Sequence, residues 1–470
     1  MSKPLSSRIA GAAFAMVAIS AVAFSLWQFS RFSSGTLLSD FRAFYCAAQL
    51  QSRGIDPYRQ EPLYRCEAAP TVAVLWHATG NVTDPAPLPP YTIAAFIPLQ
   101  RLPLGGAALV WTGILICAWA VVAIALRRIT GYSWIVICAC LFFGAMMSVS
   151  LGQIAPLAIA AICLVALLLS VEQFSWAGAA AAVAMIEPHV ALPACVAVFA
   201  SVPRSRLPMV GVGLALLAVS LIFGLGRNVE YVREVLPAHA LSDVADVGQF
   251  SFTVLAHAAG FSDRLASRAG AIWYAVMSLA GILTAVTLAK RSKNLPILAV
   301  LPMAFAVFGG TYVHWQQVVA AIPAALLLLR GEREPFWPLV ASVIALAVPW
   351  IYVVGWGFLI PGAVAIAGVL AWQLCKPALL TEAVIVVGVF CILLLCNHGL
   401  AHQPVPPAFS AVVTPNQWAD LSWGAYVRAR IPIGHGIFFW LHFPTWAGLA
   451  VVVTFALSRA WRSVTSPQAA

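Results

Sequence analysis

The sequence predicts an all-α polytopic membrane protein, and three observations carry this. Of 470 residues, 62% are hydrophobic and only 9% are charged, against about 25% charged in an ordinary soluble domain. The apolar residues gather into runs near the length of about 20 that crosses a bilayer as a helix. The excess of positive charge lies in the short connections and termini. Too few charges remain to cover a soluble surface, which sets aside a soluble enzyme, a nucleic-acid binder and a disordered scaffold. The net charge of +10 then reads as an orientation signal, not as a basic binding face.

Taken in order, the first run covers about 9–29. It follows Lys3 and Arg8 and reads as an uncleaved anchor with a cytoplasmic N-terminus. Further runs cover roughly 104–126, 132–149, 153–170, 174–202, 207–226, 271–289, 294–309, 313–329, 336–357, 360–375, 379–397 and 438–458. A short run at 88–100 reads as a shallow span or a half-helix. The total is about 12–14 transmembrane or half-spanning helices in a single integral membrane domain, 1–470. Long hydrophilic loops interrupt them at 30–86, 227–270 and 398–437. The short connections carry Arg204 and Arg206, then Lys290, Arg291 and Lys293, then Arg330 and Arg333, then Lys376, then Arg459 and Arg462. The positive-inside rule puts these and the C-terminus in the cytoplasm, and the long loops outside. Arg127 and Arg128 join them only if 88–100 does not span. The outer loops hold 11 basic and 11 acidic residues, so the whole excess lies in the spans, short connections and termini and is mainly an orientation signal.

Eight of the ten cysteines lie in apolar runs, where a thiol is a small buried hydrophobe. Cys46 and Cys66 fall in an external loop. There they either pair as a disulfide in an oxidising compartment or remain free thiols. No Cys/His cluster has metal-site spacing, and His398, His402, His435 and His442 read as loop histidines; no metal is expected.

Eleven of the 16 acidic residues fall in the three loops. Asp40 stands out, in Ser39-Asp40-Phe41-Arg42-Ala43-Phe44-Tyr45-Cys46, with aromatic and small residues following at helical spacing. A carboxylate held at the membrane surface, partly shielded from water, suits a general base; an aspartate just before a helix equally suits an N-cap. Gly54-Ile55-Asp56-Pro57-Tyr58 and the prolines of 85–103, with Tyr91 after Pro90, mark either a broken helix lining a cavity or a loop entering a helix. Gln153 follows Gly152 between two apolar runs, placed for a ligand or a helix end. Glu187-Pro188-His189 puts a carboxylate and an imidazole inside an apolar run, where ionisable groups tend to be functional; an internal pair or a turn is the alternative. Thr311 to Gln317, including His314 and Trp315, is a polar aromatic cluster on the external side, suited to a sugar or phosphate or to an interfacial belt.

In this order the pieces resemble glycosyltransferase family 87, of the GT-C class of polyprenol-phosphate-sugar-dependent enzymes, which includes phosphatidylinositol-mannoside mannosyltransferases. The resemblance rests on Asp40-Phe41-x-x-Phe44-Tyr45-x-Ala47-Ala48, Gly54-x-x-Pro57-Tyr58, and Pro89-Pro90-Tyr91 with Pro98 and Leu102-Pro103. Gly152-Gln153, Ala177-Gly178 before Glu187-Pro188, Gly248-Gln249-Phe250-Ser251 and Thr311 to Gln316 complete it. It implies a helical bundle whose external loops bear the active site, and Asp40 as the base. Asp40 would deprotonate an acceptor hydroxyl, which attacks the anomeric carbon with inversion. The donor would be a polyprenyl-phosphate hexose, most often mannose; the acceptor a lipid or a glycan; the setting a bacterial cytoplasmic membrane with the site facing out. Arg42, Tyr45, Tyr58, Tyr91, Gln153, Glu187, His189, Gln249, His314 and Trp315 would bind substrate, with no cofactor beyond the donor. Two departures stand out: the family's Lys-Pro is Glu187-Pro188 here, and its Asn-Gln-Ser is Gly248-Gln249-Phe250-Ser251.

The chain has no P-loop or dinucleotide fingerprint, as suits a lipid-phosphate donor used where nucleotides are absent. Arg42, Arg53, Arg59, Arg65, Arg227 and Arg233 are candidates to face the leaving phosphate. The competing readings are a transporter or lipid flippase with Glu187 as its intramembrane site, and an inactive assembly subunit. Transporters usually hold their site near the midplane between repeats, and no inverted repeat is evident.

Overall fold

The computed structural model describes residues 16, 18–28, 30, 38–69, 71–72, 82–246, 248–332, 336–355, 357–375, 413–430 and 435–465. The run expected at 379–397, with Lys376, His398 and His402, lies outside the described residues. The described chain is helical, with strand pairing limited to two isolated bridges. Six helices are long and apolar enough to cross a membrane: Leu104–Thr130, Trp134–Leu151, Pro203–Ile222, Asp263–Ser292, Gly357–Leu374 and His442–Thr465.

Between them stand two helical hairpins too short to cross. The run expected at 174–202 is broken into Phe174–Ala184 and Pro188–Ser201. Pro188 opens the second helix, where its missing N–H costs nothing. The two helices run antiparallel: Cys195 Sγ donates to the Ala181 carbonyl at 3.0 Å, and Arg204 lies over the Phe174 ring. At 1.5 Å per residue they reach only about 16 and 21 Å, against roughly 30 Å of hydrocarbon. Glu187 therefore caps a half-depth hairpin; it is not set midway along a continuous span. The second hairpin joins Ile297–Gly309 to Trp315–Arg330, so the helix expected from 313 starts at Trp315. Its tip is the non-helical stretch from Gly310 to His314.

Small residues allow this close packing. Gly178 lies so tightly against the Ser205 backbone carbonyl that an added Cβ would overlap it. Gly178→Ala should cost about 1–3 kcal/mol or more, the range for overpacking, read as a lowered Tm and reduced yield of monodisperse protein.

The cationic connections meet at one end of the bundle. Arg330 donates to the Ile129 carbonyl, beside Arg127 and Arg128. Arg128, Lys293 and Arg330 line one recess, and Arg459 reaches the Gly331 carbonyl. Residues 88–101 form only Pro90–Ala94 and a 3-10 turn, Ile97–Arg101; they do not span, and so Arg127 and Arg128 fall at this same end.

At the opposite end the described parts of the three long loops fold onto one another. The first contains two helices, Ser39–Ser52 and Gln60–Glu67, joined by a Cys46–Cys66 disulfide. The third crosses the other two: Ala419 N donates to the Tyr58 carbonyl, Arg59 stacks on Trp418, and Arg59 pairs with Glu230 of the second.

Candidate active site

Asp40 occupies the second position of helix Ser39–Ser52 and is no N-cap. The N-cap position is Leu38, held in the left-handed region at φ 58°, with no side-chain capping bond. Leu38 N donates to the Ser150 carbonyl at 2.6 Å, and Phe41 packs on Trp111 and against Gly152. Gly152, at φ 76°, approaches Phe41 so closely that a Cβ would collide with it, so this glycine sets where the Asp40 helix sits. The Asp40 side chain is half-buried and accepts from Ser39 Oγ at 2.9 Å. Burial pushes its carboxyl well above the usual range, and the negative charge of Asp84 adds to this. Asp84, from the end of the first loop, is buried and also raised by burial. Its backbone N–H donates to Glu67 Oε2 at 3.1 Å.

Next to this pair runs a row of alternating carboxylates and imidazoles drawn from the other two loops and the tip of the second hairpin. Asp420 Oδ1 lies 2.8 Å from His239 Nδ1; His239 Nε2 lies 3.5 Å from Asp243 Oδ2; His314 Nε2 lies 3.5 Å from the same oxygen. Gln249 Nε2 donates to Asp243 Oδ2 at 2.9 Å, and its Oε1 accepts from Val313 N at 2.6 Å. With Phe250 N donating to the Val313 carbonyl at 2.6 Å, this fixes the second loop against the tip of the second hairpin. Burial alone would depress the His314 imidazole. Asp243, then Asp246 and Asp40, outweigh it and raise it to about 9. His239 is raised likewise by Asp243 and Asp420. Asp243 answers them: burial works to raise it, yet His239 and His314 hold it below the usual carboxylate range.

The hairpin tips meet beneath. Gln317 Nε2 donates to Glu187 Oε1 at 2.5 Å and lies 3.1 Å from His189 Nε2; Tyr312 OH lies 3.1 Å from His189 Nδ1. The Tyr312 ring sits between the His189 and His239 rings, at 4.4 and 4.6 Å. Glu187 is thus joined through Tyr312 to the row above it.

The remaining candidates divide. Gln153 and Tyr91 are half-buried; Tyr91 OH donates to the Met185 carbonyl at 2.5 Å and fixes the first hairpin's tip. Arg42 is buried against Glu67 at 3.3 Å. Tyr45 packs in its own helix, Tyr58 OH donates to the Leu88 carbonyl at 2.7 Å, and Trp315 is wholly buried in the core. These four brace the scaffold. Other loop arginines also face carboxylates: Arg59 meets Asp56 and Glu230, Arg65 meets Glu61, and Arg227 meets Asp56 and Glu230. Asp84, His239, Asp243 and Asp420 complete the cluster beyond the candidates read from the sequence, and Tyr312 and Gln317 join it from the polar stretch Thr311 to Gln317; for the carboxylates, scarce acids in an apolar chain were the available signal.

No curated protein matches the chain. Residues 88–301, which span both sides of the first hairpin and carry Glu187, His189, His239, Asp243 and Gln249, match the family model of glycosyltransferase family 87. Over that region, a little under half of the chain, the sequence is similar to this family of glycosyltransferases.

Proposed function

We propose that the chain transfers a hexose from a polyprenyl-phosphate donor to a hydroxyl of a lipid or glycan acceptor, on the outer face, with inversion. The observation that carries this is a half-buried carboxylate raised by burial, Asp40, within electrostatic reach of His314, whose imidazole Asp243 raises, where three loops and two hairpin tips converge. The orientation follows from the cations gathered at the other end of the bundle.

Asp40 in its ionised form accepts the acceptor's hydroxyl proton. The oxygen forms its bond to the anomeric carbon from the face opposite the phosphate. The carbon–oxygen bond to phosphate breaks, and the polyprenyl phosphate leaves with the electron pair. The His314 imidazolium meets the charge developing on the phosphate oxygens, which is where preorganised charge helps most. Arg42, Arg59, Arg65 and Arg227 already face carboxylates and are poorly placed for this. Glu187 would repel a phosphate, so the leaving group sits toward His314 and the sugar hydroxyls toward Glu187. A 420 Å³ apolar groove between the first hairpin and helix Arg206–Ile222, reaching Tyr91 and Met185, is suited to the donor's prenyl chain.

This assignment fixes a pH profile. Asp40 works only when ionised, so activity rises through a pKa above the ordinary carboxylate range. His314 works only when protonated, so activity falls as pH passes about 9. Asp84→Asn removes the neighbouring negative charge that raises Asp40 and should move the acidic limb of kcat/KM to lower pH, with a smaller downward shift of the alkaline limb because Asp84 also interacts with His314. An unmoved acidic limb would detach Asp40 from the titration.

A further inference from the structure

At the cationic end of the bundle, remote from the site above, a recess of about 590 Å³ opens between the ends of helices Leu104–Thr130, Ala155–Ser170, Asp263–Ser292 and Trp315–Arg330. Arg128, Lys293 and Arg330 line it, with Glu172 the one acid. Its lining is mostly polar, with an apolar part from Leu169, Leu295 and Leu327.

Cations at helix C-termini complement the helix dipole, and positive connections orient the chain. Neither accounts for how these are arranged. Arg330 caps the Ile129 carbonyl, and Arg127, Arg206 and Arg459 likewise hold backbone carbonyls. The side chains of Arg128 and Lys293 make no hydrogen bond or ion pair with any described residue, though both line the same recess. Three non-glycine residues among those described have a left-handed backbone, and two of them, Glu172 at φ 58° and Lys293 at φ 55°, stand on its rim. A bulky residue adopts that conformation at a cost, and such strain gathers at ligand clamps. Two cations without an ion-pair partner, beside an apolar part of the lining and at the level of a membrane interface, form an amphiphilic receptor. Basic recesses between transmembrane helices on the cytoplasmic side recognise acidic lipid headgroups.

We infer that this recess binds a phosphate-bearing anion, with Arg128 and Lys293 as its principal ligands and Arg330 at its edge; the apolar part of the lining favours the headgroup of an anionic phospholipid over free phosphate. The site is independent of sugar transfer and is tested without it. Full-length protein in detergent is titrated with phosphatidylglycerol, with phosphatidylcholine, and with inorganic phosphate, reading Tm and the lipid retained in native mass spectra. Phosphatidylglycerol should raise Tm and be retained, phosphatidylcholine much less so. Arg128→Ala/Lys293→Ala should weaken the phosphatidylglycerol effect by at least about tenfold, the loss of two charge contacts near the surface. Arg264→Ala/Arg268→Ala, two exposed cations at the far end of helix Asp263–Ser292, should leave it unchanged. Glu172→Gln removes the opposing charge and should tighten binding severalfold, which keeps the idea testable even if the double variant folds poorly. A phosphate effect abolished by the same double variant would keep the site and make free phosphate its ligand. Equal phosphatidylglycerol binding by the double variant, or no tightening in Glu172→Gln, overturns it.

Discussion

Asp40→Asn lowers kcat for sugar transfer by about 10²–10⁴-fold, the range for loss of a positioned general base, with the acceptor KM little changed. Asparagine keeps the shape and still accepts from Ser39 Oγ, but it cannot take a proton. The stability of the variant separates chemistry from folding. Because burial raises the Asp40 pKa in the folded protein, its ionised form opposes folding. That penalty is absent below the unfolded-state pKa and grows as pH rises toward the folded one. Asn removes the penalty, so the variant's Tm at pH 8 should equal or exceed that of the parent while its activity is lost. Full activity would remove Asp40 as base; a fall in Tm matching the fall in activity would reduce it to a structural residue.

His314→Gln is expected to cost about 10²–10³-fold in kcat, as for removing one charge-stabilising group from a developing anion. It should also destabilise the protein. Asp243 is 2% exposed and shares its carboxylate between His239 and His314. Removing one partner of a buried ion pair costs about 3–5 kcal/mol; the cost is smaller here because the His314 side chain is 25% exposed and His239 and Gln249 remain. The second change Asp243→Asn should therefore restore much of the lost Tm without restoring kcat. Recovery of both together would mean that His314 serves the fold alone.

The membrane-embedded helices were legible because apolar length and the placement of cations are local properties. Arg204, Lys290 and Arg459 mark their ends without reference to any partner. The hairpins were less so: a hydrophobic run from Phe174 to Val202 reads much the same whether it crosses or turns back, and Glu187-Pro188-His189 suits an intramembrane site as well as a turn. Asp40, Glu187, Gln249 and His314 could be singled out as polar groups in motifs. Their shared neighbourhood could not, since His239 meets Asp420 across 181 positions, a contact that exists only once the third loop lies over the second. Arg42, Tyr45 and Tyr58 turned inward for a related reason. A surface helix needs a buried face, and nothing in the spacing of Ser39–Ser52 says which of its polar residues will be enclosed by Glu67 and Leu88.

The central claim is that this cluster forms a glycosidic bond using a lipid-phosphate donor. The most direct measurement is made on purified protein in liposomes supplied with a radiolabelled polyprenyl-phosphate hexose and a lipid or glycan acceptor. A new glycoside of inverted anomeric configuration should form in step with release of polyprenyl phosphate and be lost in Asp40→Asn. Transfer from a nucleotide sugar instead, or movement of the intact labelled lipid between leaflets with no new bond, would contradict this.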